Sequence, residues 1–266
     1  MKLFCFDIDG TLMPFGDYEI PNEEKEALQT LLDNGHAIAL VSGRPFVSLE
    51  HHLSLFEGKR KYYVCANGAA VYNHRGEVIK ETSLTSKDLI YLQRYAGDSI
   101  NIYAYEGRGG IVCYNIDHWI DEEIDYNLIQ KKDIVVLKKG EPIVGHDRLL
   151  KIMLAGDKEV MKHLDLCDED KAKYEWTWSA PTYLELLEKG SNKGQRVEDL
   201  RIHLGIEPED VYCFGDQGND ISMVSRFNGV AMGNAIPELK KVAKYVTRSA
   251  IEHGVVYALK HILKVI

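Results

Sequence analysis

The run Ala37–Val41 contains no polar side chain and is closed at once by Ser42-Gly43-Arg44. A strand of that kind has no face to give to water. It must be covered on both sides, which is the condition of a strand inside a parallel sheet flanked by helices. The neighbouring sequence supplies the helices. Pro21-Asn22 starts one: Asn22 can cap it, Glu23, Glu24 and Glu26 favour its first turns, and Ala27, Leu28, Leu31 and Leu32 recur at helical spacing until Gly35. Pro45 opens a second helix, over 45–56. An apolar strand precedes them and ends in Asp7-Ile8-Asp9-Gly10-Thr11, and a third strand, over 62–66, ends at Asn67-Gly68. Strand, helix, strand, helix, strand is the rhythm of a doubly wound parallel sheet.

The rhythm then changes. Residues 69–72 and 77–81 read as a hairpin, and Thr85-Ser86-Lys87-Asp88 as the start of a helix over 85–95. A second hairpin spans 100–114, with a helix over 119–130. Strands follow over 134–137, 150–155 and 174–179, with a helix over 158–166. From Tyr183 the parallel rhythm is expected to return, with a short strand to Leu187. Gly190-Ser191-Asn192-Lys193-Gly194 opens a helix over 190–204. The strand over 211–214 ends in Gly215-Asp216-Gln217-Gly218-Asn219-Asp220, and a short strand over 229–232 and a helix from Pro237 follow. The expected fold class is α/β: a Rossmann-like parallel core formed by residues 1–81 and 183–266, with an α+β insert at 82–182.

Composition narrows the function. The net charge of −9 and the lack of a Lys/Arg cluster disfavour nucleic acid; Lys138-Lys139 and Lys240-Lys241 read as ordinary surface pairs. No apolar run approaches the roughly 20 residues that span a bilayer, and Asp7 and Asp9 interrupt any leader. The five cysteines are widely spaced and form no CxxC, so they read as reduced thiols. The expectation is a soluble cytoplasmic protein, a monomer or weak homodimer, with no membrane or nucleic-acid partner.

Ligands of open parallel sheets bind beyond the carboxyl ends of the strands, and the polar loops stand there. Side chains at i and i+2 of a strand share a face, so Asp7 and Asp9 are expected to converge where their strand frays. Two close carboxylates need a cation between them or a proton on one. Asp216 with Asp7 would give a hard cation such as Mg²⁺ its carboxylates, with Asp220 and Asn219 supporting the ion or contacting phosphate. Ser42 and the amides beside Gly43, at a helix start, form an anion site, and Lys193 reads as a point charge on phosphate. Arg44 fits either a phosphate contact or a salt bridge bracing its loop. Singly, each would pass as a turn, cap or surface residue. Together they suit a divalent cation and a phosphate.

These segments resemble a known family. Phe6-Asp7-Ile8-Asp9-Gly10-Thr11-Leu12, Val41-Ser42-Gly43-Arg44, Lys193 in Ser-Asn-Lys-Gly and Gly-Asp216-Gln-Gly-Asn219-Asp220 are similar, in order, to the four motifs of the haloacid dehalogenase (HAD) superfamily. The Asn67-Gly68-Ala69 turn and the place of the insert resemble the Cof-type phosphatases of subfamily IIB, whose cap is of the C2B type. The resemblance implies a Mg²⁺-dependent phosphatase of small phosphate esters, sugar phosphates first among them. It makes Asp7 the nucleophile and Asp9 the acid and base. It implies a metal held by Asp7, the Asp9 carbonyl and Asp216 with Asp220 nearby, and a phosphate held by Ser42, Gly43, Arg44, Lys193 and Asn219, with Thr11 bracing the loop. A phosphomutase on the same scaffold and a non-catalytic sugar-phosphate sensor are the alternatives.

Overall fold

The strands Leu3–Phe6 and Ala37–Val41 are buried at every position, and they lie side by side. In the computed structural model, which describes residues 1–138 and 143–266, they occupy the middle of a sheet. Lys139 of the pair Lys138-Lys139 lies outside the described residues. Among the described residues this sheet has eight strands, in the order Tyr245–Val246, Asn228–Ala231, Val211–Gly215, Leu3–Phe6, Ala37–Val41, Lys61–Cys65, Ala70–Tyr72 and Val78–Glu81. From Tyr245–Val246 to Lys61–Cys65 every neighbouring pair is parallel; Ala70–Tyr72 turns back antiparallel to Lys61–Cys65. Leu3 stands opposite both Val211 and Ala37, so the first strand joins the two ends of the chain. From it the chain winds one way through Ala37–Val41 and the other way through Val211–Gly215. That reversal opens a crevice at the carboxyl ends of these strands.

Helices Asn22–Asp33 and Lys193–Leu204 turn apolar stripes inward, Ala27, Leu28 and Leu31 on the first and Val197 and Leu200 on the second. Asn22 is the first residue of its helix and Pro21 stands in the cap position. The expected cap role of Asn22 gives way because the fixed φ of proline already sets the entry.

By its contacts the chain divides into two compact units: residues 1–42, 49–80 and 192–266, and residues 43–48 and 81–191. The second unit is built on a sheet ordered Tyr174–Ala180, Tyr183–Glu188, Leu149–Gly156, Ile100–Glu106, Gly110–Cys113 and Ile134–Val136, antiparallel except for its last pair. Ile102, Ala104, Ile152, Leu154, Leu184 and Leu186 pack one face against Leu89, Leu92 and Met161. The strand expected to restart the parallel part at Tyr183 is therefore an internal antiparallel strand. Leu184 and Leu186 point into this core, while Glu185, on the other face, is buried and pairs with Lys151 at 3.0 Å. The helix expected over 158–166 stops at Met161, and a separate helix, Asp168–Lys173, follows.

Candidate active site

Asp7 extends the first strand by one hydrogen bond, its N–H donating to the Phe214 carbonyl at 3.0 Å. The neighbouring strand, Val211–Gly215, delivers Asp216 to the same end of the sheet. Between them comes Lys193, the first residue of helix Lys193–Leu204, whose start is capped by Asn192 accepting from the Gln195 N–H. The helix comes this close because residue 194 is glycine: a Cβ there would stand 2.2 Å from the Ser222 carbonyl oxygen. Lys193 Nζ donates to Asp7 Oδ1 at 2.7 Å and to Asp220 Oδ1 at 2.6 Å, and is fully buried. Asp220 Oδ2 accepts the N–H groups of Asp216 and Gln217 at 2.9 and 3.0 Å, so this carboxylate folds its own loop and holds the lysine.

Donor atoms of Asp7, Asp216 and Asp220 lie within 4.8 Å of one another, all buried. Three acids around one lysine leave an excess of negative charge in a medium that solvates it poorly. Burial pushes the Asp7 carboxyl well above its ordinary value against the pull of Lys193, and Asp220, Asp216 and Asp9 add to the rise. Burial and the Asp220 charge carry Asp216 up to about 7, although Lys193, Gln217 and Thr11 oppose it. Burial alone would lower Lys193, but Asp220 and Asp7 raise it, so it stays an ammonium. An oxygen-only, anionic donor set suits a hard divalent cation such as Mg²⁺.

The remaining expected residues fall into three groups. Thr11 Oγ1 donates to Asp216 Oδ1 at 3.3 Å, and Asn219 Nδ2 donates to Asn67 Oδ1 at 3.0 Å. Ser42 is buried at the end of its strand, and its carbonyl accepts the Asn67 N–H at 3.0 Å. Asp7 and Asp9 do not share a strand face, because the strand ends at Phe6 and the chain turns; the Asp9 charge still acts on Asp7. Asp9 is half-buried, bridged to Met13, and its carboxylate stands outside the acid cluster. Gly43 and Arg44 belong to the second unit. The Gly43 carbonyl accepts from Lys151 Nζ at 3.0 Å. Arg44 donates to Ser48 Oγ and to the Tyr126 carbonyl at 3.3 and 3.2 Å, and lies over the Tyr126 ring at 4.0 Å. Of the two parts expected of Arg44, these partners are those of a loop brace.

Two residues of the site carry no mark in the sequence reading. Asn234 donates to the Gly10 carbonyl at 2.8 Å and to Asp216 Oδ2 at 3.4 Å, tying the two acid loops together. Arg196, one turn after Lys193, donates through Nε to the Gly68 carbonyl at 2.7 Å. Asn234 was within reach of the strand-end rule, since it follows the short strand Asn228–Ala231.

Residues 4–259 match the family of haloacid dehalogenase-like hydrolases. YxeH of Bacillus subtilis strain 168, a protein named as a phosphatase, is 32% identical over 269 residues, covering 98% of each chain. An HMP-PP phosphatase of Serratia proteamaculans is 25% identical, over 99% of this chain and 94% of its own. Among solved structures, a haloacid dehalogenase-like hydrolase from Bacteroides thetaiotaomicron superposes with a TM-score of 0.82 at 29% identity, over 98% of this chain and 99% of its own. The HAD subclass IIB sugar phosphatase BT4131 superposes with a TM-score of 0.80 at 25% identity, over the whole of both chains.

Proposed function

The chain belongs to the haloacid dehalogenase-like hydrolases and is a phosphatase of their Cof type, and from that premise we propose that it hydrolyses small phosphorylated metabolites, chiefly sugar phosphates, through a phosphoryl group carried on Asp7. The observation that carries this reading is the buried meeting of Asp7 and Asp216 with a lysine held by Asp220. Asp7 has the position of a nucleophile: fixed by the strand and desolvated. Its carboxylate oxygen forms a bond to phosphorus as the bond to the ester oxygen breaks, and Asp9 gives that leaving oxygen its proton. The Asp9 carboxylate then takes a proton from water, which attacks the acyl phosphate, frees Asp7 and releases inorganic phosphate.

Asp7, Asp216 and the Asp9 main-chain carbonyl would hold Mg²⁺, which when bound screens carboxylate from phosphate and stabilises charge on the transferring group. Lys193, Ser42 and Asn219 hold the non-reacting phosphoryl oxygens. Thr11 and Asn234 keep Asp216 in place, and Asp220 does the same for Lys193. The antiparallel unit is the cap that selects the leaving group. Relatives named for HMP-PP and for sugar phosphate support a small phosphorylated substrate. We assign the enzyme to the cytoplasm, where the five free cysteines would persist as thiols. Among the described residues no helix is long and apolar enough to cross a membrane.

The test is a kinetic screen over hexose, pentose, triose, nucleotide and cofactor phosphates with Mg²⁺, repeated after chelation. We expect inorganic phosphate release, fastest on a sugar phosphate, lost with EDTA and restored by Mg²⁺. A purified, folded protein inert on the whole panel would refute the reading.

A further inference from the structure

The backbone between strands Lys61–Cys65 and Ala70–Tyr72 holds three successive residues in the left-handed region: Ala66 at φ 48°, Asn67 at φ 54° and Gly68 at φ 95°. All three are buried. For alanine this conformation costs on the order of 1 kcal/mol or more, and it persists only where the surroundings hold it. Here three surrounding loops do so. The Asn67 N–H donates to the Ser42 carbonyl at 3.0 Å. Gly68 lies so close to the start of helix Lys193–Leu204 that a Cβ would stand 2.3 Å from the Asn192 carbonyl oxygen. Arg196, from the same helix, grips the Gly68 carbonyl at 2.7 Å. The turn is thus anchored on the loops of Ser42 and Lys193, and its own side chain reaches the third: Asn67 Oδ1 accepts from Asn219 Nδ2 at 3.0 Å.

We propose that Asn67 is a positioning residue for phosphoryl recognition: the buried left-handed turn presents its amide oxygen to Asn219 and so sets the direction in which Asn219 meets the substrate phosphate. The inference rests on the phosphatase reading. An amide that donates one N–H to a fixed acceptor loses rotation about its terminal bond, and its other polar atoms then point one way. A strained turn at this place also has a reason. Type I or II turns would be cheaper, but the three left-handed residues bring Asn67 under Asn219 while the N–H stays on Ser42.

A double-mutant cycle tests it, with Asn67→Gly, Asn219→Ala and the pair. Glycine adopts φ 54° freely, so Asn67→Gly removes the amide without opposing the turn, and Tm is expected to stay within a few degrees of wild type. Two quantities are read: kcat/KM on the best substrate of the screen, and the affinity for inorganic phosphate by calorimetry with Mg²⁺ present. Asn67→Gly is expected to cost about tenfold in each. In the Asn219→Ala background the same change should cost less than about twofold, because the group it positions is gone. Equal losses in both backgrounds would overturn the proposal, as would an Asn67→Gly enzyme indistinguishable from wild type. A large fall in Tm with additive losses would assign the turn a structural part only and overturn it too. A wild type that binds phosphate but hydrolyses nothing would sink the phosphatase reading, while the phosphate-affinity cycle still decides on Asn67. A wild type that does neither sinks both.

Discussion

A lysine among three acids sets the charge of this site, and the acids differ in how replaceable they are. Asp7→Asn should lower turnover by about 10³-fold or more, because an amide oxygen does not form the covalent intermediate. The fold should not suffer. Burial already pushes the Asp7 carboxyl toward its neutral form, so a neutral isostere removes a repulsion with Asp216 and Asp220. We expect the Tm of Asp7→Asn, measured without metal, to equal or exceed that of wild type; retained turnover would remove Asp7 as nucleophile. Asp7, Asp216 and Lys193 were legible in the sequence because each stands where an apolar strand stops or a helix begins, in a run of polar residues. Arg196 was not, because its partner is the carbonyl of Gly68, and a backbone acceptor leaves no trace in side-chain identity. Arg44 stayed open between two parts because Tyr126, its partner, is 82 positions away. The local backbone at Asp9 was not legible as a turn: hydrogen bonds from Thr11 and Met13 to the Ile8 carbonyl end the strand face there.

At the scale of single elements, helix Ser86–Leu92 of the antiparallel unit depends on one carboxylate. Asp88 accepts from the N–H and hydroxyl of Thr85, from Lys173 Nζ and from Tyr174 Oη, all at 2.9 to 3.0 Å. Partial burial acts to raise the Asp88 carboxyl, but the donors of Lys173, Thr85 and Tyr174 outweigh it and hold it at about 2, below its ordinary 3.8. A depressed carboxyl contributes stability that is complete above its unfolded value and is lost as the pH falls through its folded one. The contribution should therefore be whole above pH 4 or so and disappear toward pH 2. After allowance for solvent screening it amounts to about 1–2 kcal/mol. Asp88→Asn should lose that much in urea unfolding at pH 7 and converge with wild type toward pH 2; a constant difference across the range would refute the assignment. This helix start was legible from Thr85 and Asp88 alone, because a cap is a local device. Strand Tyr183–Glu188 was not. Its neighbours, Leu149–Gly156 and Tyr174–Ala180, come earlier in the chain, and which sheet a strand joins is decided by pairing rather than by its own residues.

The whole core depends on a strand of four residues. Leu3–Phe6 pairs on one side with Ala37–Val41 and on the other with Val211–Gly215, so the sheet closes only when the end of the chain has returned to its beginning. Pairings so distant in sequence bring no gain until the intervening entropy has been spent, which makes the central strands cooperative. The edges are different: Tyr245–Val246 and Val78–Glu81 each have a single neighbour in the sheet. Native-state hydrogen exchange should therefore show the amides of Leu3–Phe6 and Val211–Gly215 opening together at the global free energy, and the edge strands opening earlier. Metal gives the same experiment a second axis. The carboxylates of Asp7 and Asp216 come from the ends of these two central strands, and a cation bound there belongs to the folded sheet alone. At a Mg²⁺ concentration about 100 times its dissociation constant, global opening should cost about 2.7 kcal/mol more. The central amides should slow by about a hundredfold, an effect EDTA reverses and Asp216→Asn greatly reduces. The edge strands should slow far less, because they open without releasing the ion. If Leu3–Phe6 and Val211–Gly215 exchanged at separate rates with only one of them sensitive to Mg²⁺, the two ends of the chain would be opening independently, and a shared metal between Asp7 and Asp216 would be excluded.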